Sequence, residues 1–242
     1  MTQSVSYKDL GQNRSYQEIW DLQESILVKT VQRKSAGNLS AHTEETLPTE
    51  NHLLFVEHNP VYTLGKSGNE NHVLISPKIR DEKGIEFFKI NRGGDITFHG
   101  LGQLVGYPIF DLEHFKTDLG WYLRSLEEVI ILVMADYGLK GGRSKGETGV
   151  WMDADTPGRE RKICAMGIRC SRWVTMHGFA LNVNTDLDYF NYIIPCGIQN
   201  KQVTSLQKEL GHAVPMQEVK QKLLRSFEKV FDVKITDNIE IE

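Results

Sequence analysis

The chain has 242 residues, a length that suits one large domain or two small ones. Hydrophobic residues make up 40% and charged residues 25%, with a formal net charge of -4; this fits a globular protein with a real core and argues against general nucleic-acid binding. No run of 18 apolar residues predicts a membrane span, and the N-terminus lacks the basic-then-apolar order of a signal peptide, so a cytoplasmic location is expected.

Along the chain, Ser15-Tyr16-Gln17-Glu18 has the pattern of a capping box. Ile19, Leu22, Ile26 and Val31 follow at helical spacing, with Gly37 past the expected end and a polar loop from Gly37 to Glu50. Leu53-Leu54-Phe55-Val56 reads as a buried strand, as do Ile85 to Ile90 and Gln103 to Ile109. Leu119 to Tyr137 is the longest helix expected, stopped by Gly138. Extended segments are expected at Gly149–Met152, Lys162–Cys170, Trp173–Met176 and Phe179–Val183. An amphipathic helix from Met216 to Phe231 and a closing strand at Val233–Thr236 end the chain. Without a regular βαβ beat, the class is α+β, a mixed sheet flanked by helices. A single domain over residues 1–242 is expected, with a small C-terminal subdomain over 201–242 as the alternative. The polar stretch Gly141 to Glu147, read as a loop, is the best-placed internal boundary.

The three cysteines, Cys164, Cys170 and Cys196, contain no CxxC pair, which speaks against a disulfide framework and against zinc. Eight basic and four acidic residues fall between Lys140 and Arg172. This excess, which includes Arg143 and Lys145, suits either an acidic protein partner or an ordinary solvated face.

Four segments carry candidate chemistry. In Arg92-Gly93-Gly94-Asp95-Ile96-Thr97-Phe98-His99-Gly100-Leu101-Gly102-Gln103, four glycines let bare backbone approach a ligand beside polar anchors. A hairpin turn explains the same glycines. In Arg161-Lys162-Ile163-Cys164-Ala165-Met166-Gly167-Ile168-Arg169, small residues at Ala165 and Gly167 leave room on a strand, while Lys162 alone reads as a solvated lysine. His177-Gly178-Phe179-Ala180-Leu181-Asn182-Val183-Asn184 repeats that pattern of small residues. In Ile193-Ile194-Pro195-Cys196-Gly197-Ile198 a cysteine sits between proline and glycine, on a turn that could expose its sulfur. Cys164 and Cys170 read as small buried hydrophobes.

With a fifth segment, Glu57-His58-Asn59-Pro60-Val61-Tyr62-Thr63-Leu64-Gly65-Lys66, these stretches resemble the lipoyl(octanoyl) transferases of lipoate biosynthesis, all five in order from Glu57 to Ile198. Leu101 replaces the family's usual proline, and Phe98 stands where tyrosine is commoner. The insertions at Gly37–Glu50 and Asp153–Glu160 look like loops. The resemblance implies the catalytic domain shared with lipoate and biotin protein ligases. It assigns Cys196 as nucleophile and Lys162 as its activator. It implies an acyl pocket lined by Arg92, Gly93, Gly94, Asp95, Ile96, Thr97, Phe98 and His99, by Ala165, Met166 and Gly167, and by Gly178, Phe179 and Ala180. The implied donor is octanoyl-acyl carrier protein. The implied acceptors are lipoyl domains of 2-oxoacid dehydrogenase E2 subunits and the glycine cleavage H protein. No metal, further cofactor, nucleic acid or membrane is implied, since the acyl group arrives on phosphopantetheine.

That chemistry suits these residue types. A thiolate exchanges readily with a thioester, and an acyl-cysteine splits the transfer into two visits by two proteins. Lys162 can stabilise the thiolate, protonate the departing pantetheine thiol and, as a neutral amine, deprotonate the incoming lysine. Six methylenes of an octanoyl chain contribute roughly 5 kcal/mol when buried. The alternatives are an ATP-dependent lipoate or octanoate ligase on the same fold, a non-catalytic acyl-carrier- or lipid-binding module, and a thioesterase.

Overall fold

The computed structural model describes residues 2–39, 49–194 and 202–237. Its elements in chain order are β1 (Gln3–Asp9), α1 (Tyr16–Leu39), β2 (Asn51–Val56), β3 (Val61–Leu64), α2 (Pro77–Glu82), β4 (Glu86–Lys89), β5 (Ile96–His99), β6 (Gln103–Ile109), α3 (Leu119–Asp136), β7 (Gly141–Gly142), β8 (Val150–Met152), β9 (Arg161–Ser171), β10 (Val174–Asn182), β11 (Gln202–Val203), α4 (Leu206–Leu210), α5 (Met216–Phe231) and β12 (Val233–Asp237).

Two sheets form among the described residues. The large one runs β12-β1-β2-β6-β10-β9-β8-β7, with β11 added beside β9; the small one runs β4-β3-β5. The large sheet mixes parallel pairs, such as β1 with β12 and β2, and antiparallel pairs, such as β6–β10 and β9–β10. This is the expected α+β arrangement.

The two faces of the large sheet carry different helices. Ile19, Ile26 and Leu27 of α1 pack on Val105, Tyr107, Met176 and Ala180, the alternate residues of β6 and β10. The opposite residues, Leu104, Phe179 and Leu181, meet Leu126, Val129, Ile130 and Val133 of α3 and Val219, Leu223 and Phe227 of α5. Period-2 strands and period-3.6 helices therefore bury complementary stripes. Asp118 caps α3 by accepting from the Trp121 amide, and Gly138 at φ 70° follows its last turn.

Three expectations are corrected. Helix α1 continues past Gly37 to Leu39. Trp173–Met176 and Phe179–Val183 are not separate strands, because β10 runs through His177 and Gly178. His177 adopts φ 57°, and β9 pairs residue for residue across it, from Val174↔Ser171 to Leu181↔Cys164. Gly141–Gly142, expected in a loop, pair with Met152 and Trp151. No helix among the described residues is long and apolar enough to cross a membrane.

Candidate active site

A cavity of about 480 Å3 lies on the α1 face of the large sheet, closed over by β5 and the strap 92–95. Its floor follows from strand register. Ala165 of β9 stands opposite Ala180 of β10, and Gly167 stands opposite Gly178. Four small residues in two cross-strand pairs leave a shallow slot where larger side chains would fill the space. The strap is seated close to this floor. The Gly93 amide donates to Ile168 O at 2.9 Å, and a Cβ on Gly167 would come within 2.7 Å of Gly93 O. Glycine at 167 is thus required for the strap to approach.

The strap's own anchors are buried. Arg92 Nη2 donates to Thr63 O at 2.7 Å and to Thr63 Oγ1 at 2.9 Å, and Arg92 Nη1 donates to Gly93 O at 2.9 Å. Asp95 Oδ2 lies 2.5 Å from His72 Nδ1, and Asp95 Oδ1 accepts from the Asn69 amide. A chain of side chains continues beneath the cavity. His99 Nε2 lies 3.3 Å from Thr63 Oγ1, and His99 Nδ1 lies 2.8 Å from Gln103 Oε1. Gln103 Nε2 donates to Phe98 O and to Asn182 Oδ1. That fixes the amide, so His99 carries its proton on Nδ1 and accepts from the Thr63 hydroxyl. Burial, reinforced by the neighbouring His58, holds His99 well below the ordinary imidazole range, so it is neutral.

Lys162 also borders the cavity, with a side chain only 11% exposed. Its ammonium lies 4.5 Å from the centroid of the Trp151 ring and 4.0 Å from Glu147 Oε2. Lys162 is held from behind as well: its carbonyl accepts from the Thr204 amide, and Val203 of β11 pairs beside it. The described chain ahead of Pro195-Cys196-Gly197 ends at Ile194, whose amide donates to the carbonyl of His72, a cavity residue. Cys196 itself lies outside the described residues. Cys164 is fully buried, with its thiol pushed up by burial, and Cys170 is part-buried with a raised thiol.

Of the residues expected to line an acyl pocket, Arg92, Gly94, Asp95, Ile96, Thr97, His99, Ala165, Met166, Gly167, Gly178, Phe179 and Ala180 border the cavity together with Lys162. Phe98 does not. It alternates with Thr97 and His99 along β5, and its ring stacks on Tyr189 at 4.5 Å between centroids, inside the core of the small sheet. The hydroxyl that the commoner tyrosine would add therefore belongs to that core and not to the cavity. Gly93 also falls outside the wall, its backbone being spent on Ile168. Leu101 is 47% exposed on the β5–β6 turn.

Several cavity residues carried no signal in the motifs. Tyr16 comes from the first turn of α1, Val105 and Tyr107 from a strand that reads as plain core, His72 from the short 3-10 turn Glu70–His72 and Glu147 from a loop. The basic stretch also proves different from a free docking face at one position. Arg143 donates to Glu127 Oε2, to Glu128 Oε2 and to the Arg124 carbonyl, so its charge is used within the fold.

Among the described residues no cluster of three His, Cys, Asp or Glu is arranged to hold a metal ion. Comparison with known proteins gives a consistent picture. The Lipoyl protein ligase A/B catalytic domain family matches residues 15–228. An octanoyltransferase of Christiangramia forsetii is 56% identical over 97% of this chain and 99% of its own length. One of Flavobacterium johnsoniae is 55% identical over 97% of this chain and 100% of its own length. Among solved structures, a lipoate-protein ligase A bound with ATP superimposes with a TM-score of 0.69 at 15% identity, covering 100% of this chain and 90% of that one. The bi-partite lipoate protein ligase of Thermoplasma acidophilum, described with its E2 lipoyl domain, gives 0.67 at 16% identity, covering 100% and 88%. These structural likenesses speak for the fold alone. The chain belongs to the lipoyl protein ligase A/B catalytic domain family and groups with its octanoyltransferases.

Proposed function

We propose that this protein transfers an octanoyl group from acyl carrier protein to a lysine of a lipoyl domain, through a thioester on Cys196 with Lys162 as its acid and base. The observation that carries the reading is the slot floored by Ala165, Ala180, Gly167 and Gly178, with Lys162 on its wall. A narrow apolar channel with one buried amine suits an acyl chain whose reactive carbonyl lies at the amine end.

The two steps balance through that one amine. In the first, the Cys196 thiolate attacks the thioester, the carbon–sulfur bond to pantetheine breaks, and the Lys162 ammonium gives its proton to the departing thiolate. In the second, the neutral Lys162 amine takes a proton from the acceptor lysine, whose nitrogen then displaces the cysteine sulfur. No ATP is consumed, which separates this reading from a ligase. The acceptors proposed are lipoyl domains of 2-oxoacid dehydrogenase E2 subunits and the glycine cleavage H protein, with the enzyme in the cytoplasm and no cofactor besides the donor's phosphopantetheine.

Intact-mass analysis after mixing with octanoyl-acyl carrier protein tests the proposal. One octanoyl adduct on the wild type and none on Cys196→Ala is expected, with Lys162→Ala also defective in transfer. An unmodified wild-type mass alongside ATP-dependent transfer from free octanoate would overturn it.

A further inference from the structure

The proton balance through Lys162 closes for an acceptor lysine that arrives as the neutral amine. Free lysine has a pKa of about 10.4, so at pH 7 only about one molecule in 2,500 is neutral. The ammonium carries one proton more than Lys162 takes up in returning to its starting state. A second base at the cavity would receive that proton.

His72 borders the cavity together with Lys162. It ends the 3-10 turn Glu70–His72, which is fastened on two sides. On one side its Nδ1 lies 2.5 Å from Asp95 Oδ2, and the Asp95 side chain is only 11% exposed. A carboxylate accepts, so Nδ1 carries the hydrogen, and in the neutral ring Nε2 holds the lone pair. The Asn69 amide donates to the other Asp95 oxygen and fixes the carboxylate in turn. On the other side, the His72 carbonyl accepts from the Ile194 amide at 2.8 Å, Val73 bridges to Ile193, and the Leu74 amide donates to Tyr192 O. The described chain ahead of Cys196 thus ends bound to the residue that carries this imidazole. The ring is 24% exposed, so it can hand a proton on to water. Holding Asp95 in place needs only the Nδ1 donor, which an asparagine amide could supply; the imidazole adds a base at Nε2.

We propose that His72, oriented by Asp95, takes the surplus proton from the acceptor lysine's ammonium in the second half-reaction. The inference rests on the acyl-cysteine reading above. The ammonium gives one proton to His72 Nε2 and becomes a neutral amine. Its nitrogen bonds to the acyl carbon as the carbon–sulfur bond breaks, and the Lys162 amine takes the next proton to become an ammonium again. The His72 imidazolium, its charge offset by Asp95, then releases its proton to water. One proton is set free per turnover, as the conversion of a thioester and an ammonium into a thiol and an amide requires.

The test separates the half-reactions. His72→Asn keeps a donor beside Asp95 and removes Nε2; His72→Gln is the second variant, with the same expected outcome. Each is loaded with octanoyl-acyl carrier protein and followed by intact mass. The adduct is then discharged either with a lipoyl domain or with hydroxylamine, which is uncharged at neutral pH. At pH 7, discharge to the lipoyl domain should fall about 100-fold further than loading does, the low end for loss of a general base. Discharge to hydroxylamine should not share that loss. The deficit should narrow as the pH rises from 7 to about 9, where solvent frees more of the amine. Wild type and variants share the other charged groups on the cavity, Arg92, Asp95, Glu147 and Lys162, and the Glu70–Lys89 pair on the turn, while burial holds His99 and His177 neutral, so the narrowing reports on position 72. Asp95→Asn, which disturbs the orientation of the ring, should show the same split to a smaller degree. A loss shared equally by loading and both discharges would show a structural role and overturn the inference, as would a deficit that stays constant with pH or undiminished discharge to the lipoyl domain. Absence of any adduct on the wild type would instead remove the acyl-cysteine reading, and the inference with it.

Discussion

Ala165→Leu is the sharpest probe of the slot. Ala165 lies three residues along β9 from Lys162, about 10 Å at the rise of a strand. That is where the far half of an eight-carbon chain would lie if its carbonyl sits by the amine. The residue borders the cavity and is half-buried, so a larger side chain there grows into the slot. Leucine adds three carbons on that wall and should displace a similar number of substrate methylenes. At about 0.8 kcal/mol per methylene the lost burial is near 2.4 kcal/mol, or roughly 50-fold in kcat/KM for loading. A butanoyl group stops short of Ala165 and should lose less than about fourfold, the worth of one methylene. Competition between octanoyl- and butanoyl-acyl carrier protein, read by intact mass on one sample, gives the ratio directly. Equal loss of both chains would mean that the added leucine had deformed the floor instead of shortening it. No loss of either would mean that the acyl chain lies elsewhere.

Two further outcomes follow from buried charge. Glu127→Ala strands the Gly149 amide and opens a void beneath residues 143–149, so we expect a loss of about 3 kcal/mol and a Tm near 10 °C lower by calorimetry, whereas a drop under about 2 °C would refute the anchoring role. His58, His99 and His177 are held neutral chiefly by burial, His58 lowered to about 4 and His177 to about 3, so below pH 6.5 the unfolded chain binds protons that the folded one refuses; urea midpoints should hold steady above that pH and fall toward pH 4, on the order of 1.4 kcal/mol per pH unit for each histidine, and flat midpoints from pH 7.5 to 5 would contradict the burial.

What could be read from residues alone depended on periodicity and on glycine. Helix α5 and strand β6 stand where their patterns place them, because Val219, Leu223 and Phe227 and the apolar run from Leu104 bury without competition. Strand β1 was not legible. It buries only Val5 and Tyr7, and its partners β2 and β12 come from distant parts of the chain, so nothing local marks it. The break expected at His177-Gly178 reflects how rarely a non-glycine residue takes positive φ inside a strand. The small residues at Ala165, Gly167, Gly178 and Ala180 stand in matched pairs across β9 and β10 and border the cavity. Phe98 went the other way because strand alternation, not membership of a motif, decides which face a side chain meets. Glu147 and Tyr16 have no local mark at all; loop anchoring and helix docking, both long-range, bring them to the cavity.

The hydrogen-bonded chain beneath the slot explains why the motifs lie so far apart in sequence. Arg92, Thr63, His99, Gln103, Asn182 and Thr204 come from the strap and from β3, β5, β6, β10 and the residue after β11, and each satisfies the next. The last of them donates its amide to the carbonyl of Lys162. A buried polar atom left without a partner costs about 1–3 kcal/mol, so a break in this line destabilises the arrangement of both the strap and the β11 end. His99, Gln103, Asn182 and both threonines are neutral, and Arg92 at the head of the line donates to the Thr63 and Gly93 oxygens, so the line satisfies its own polar groups behind the slot. These residues thereby fix the geometry of the site, while in the proposed mechanism proton transfer falls to Lys162, and their identity is dictated by hydrogen-bond complementarity along the line more than by contact with an acyl chain.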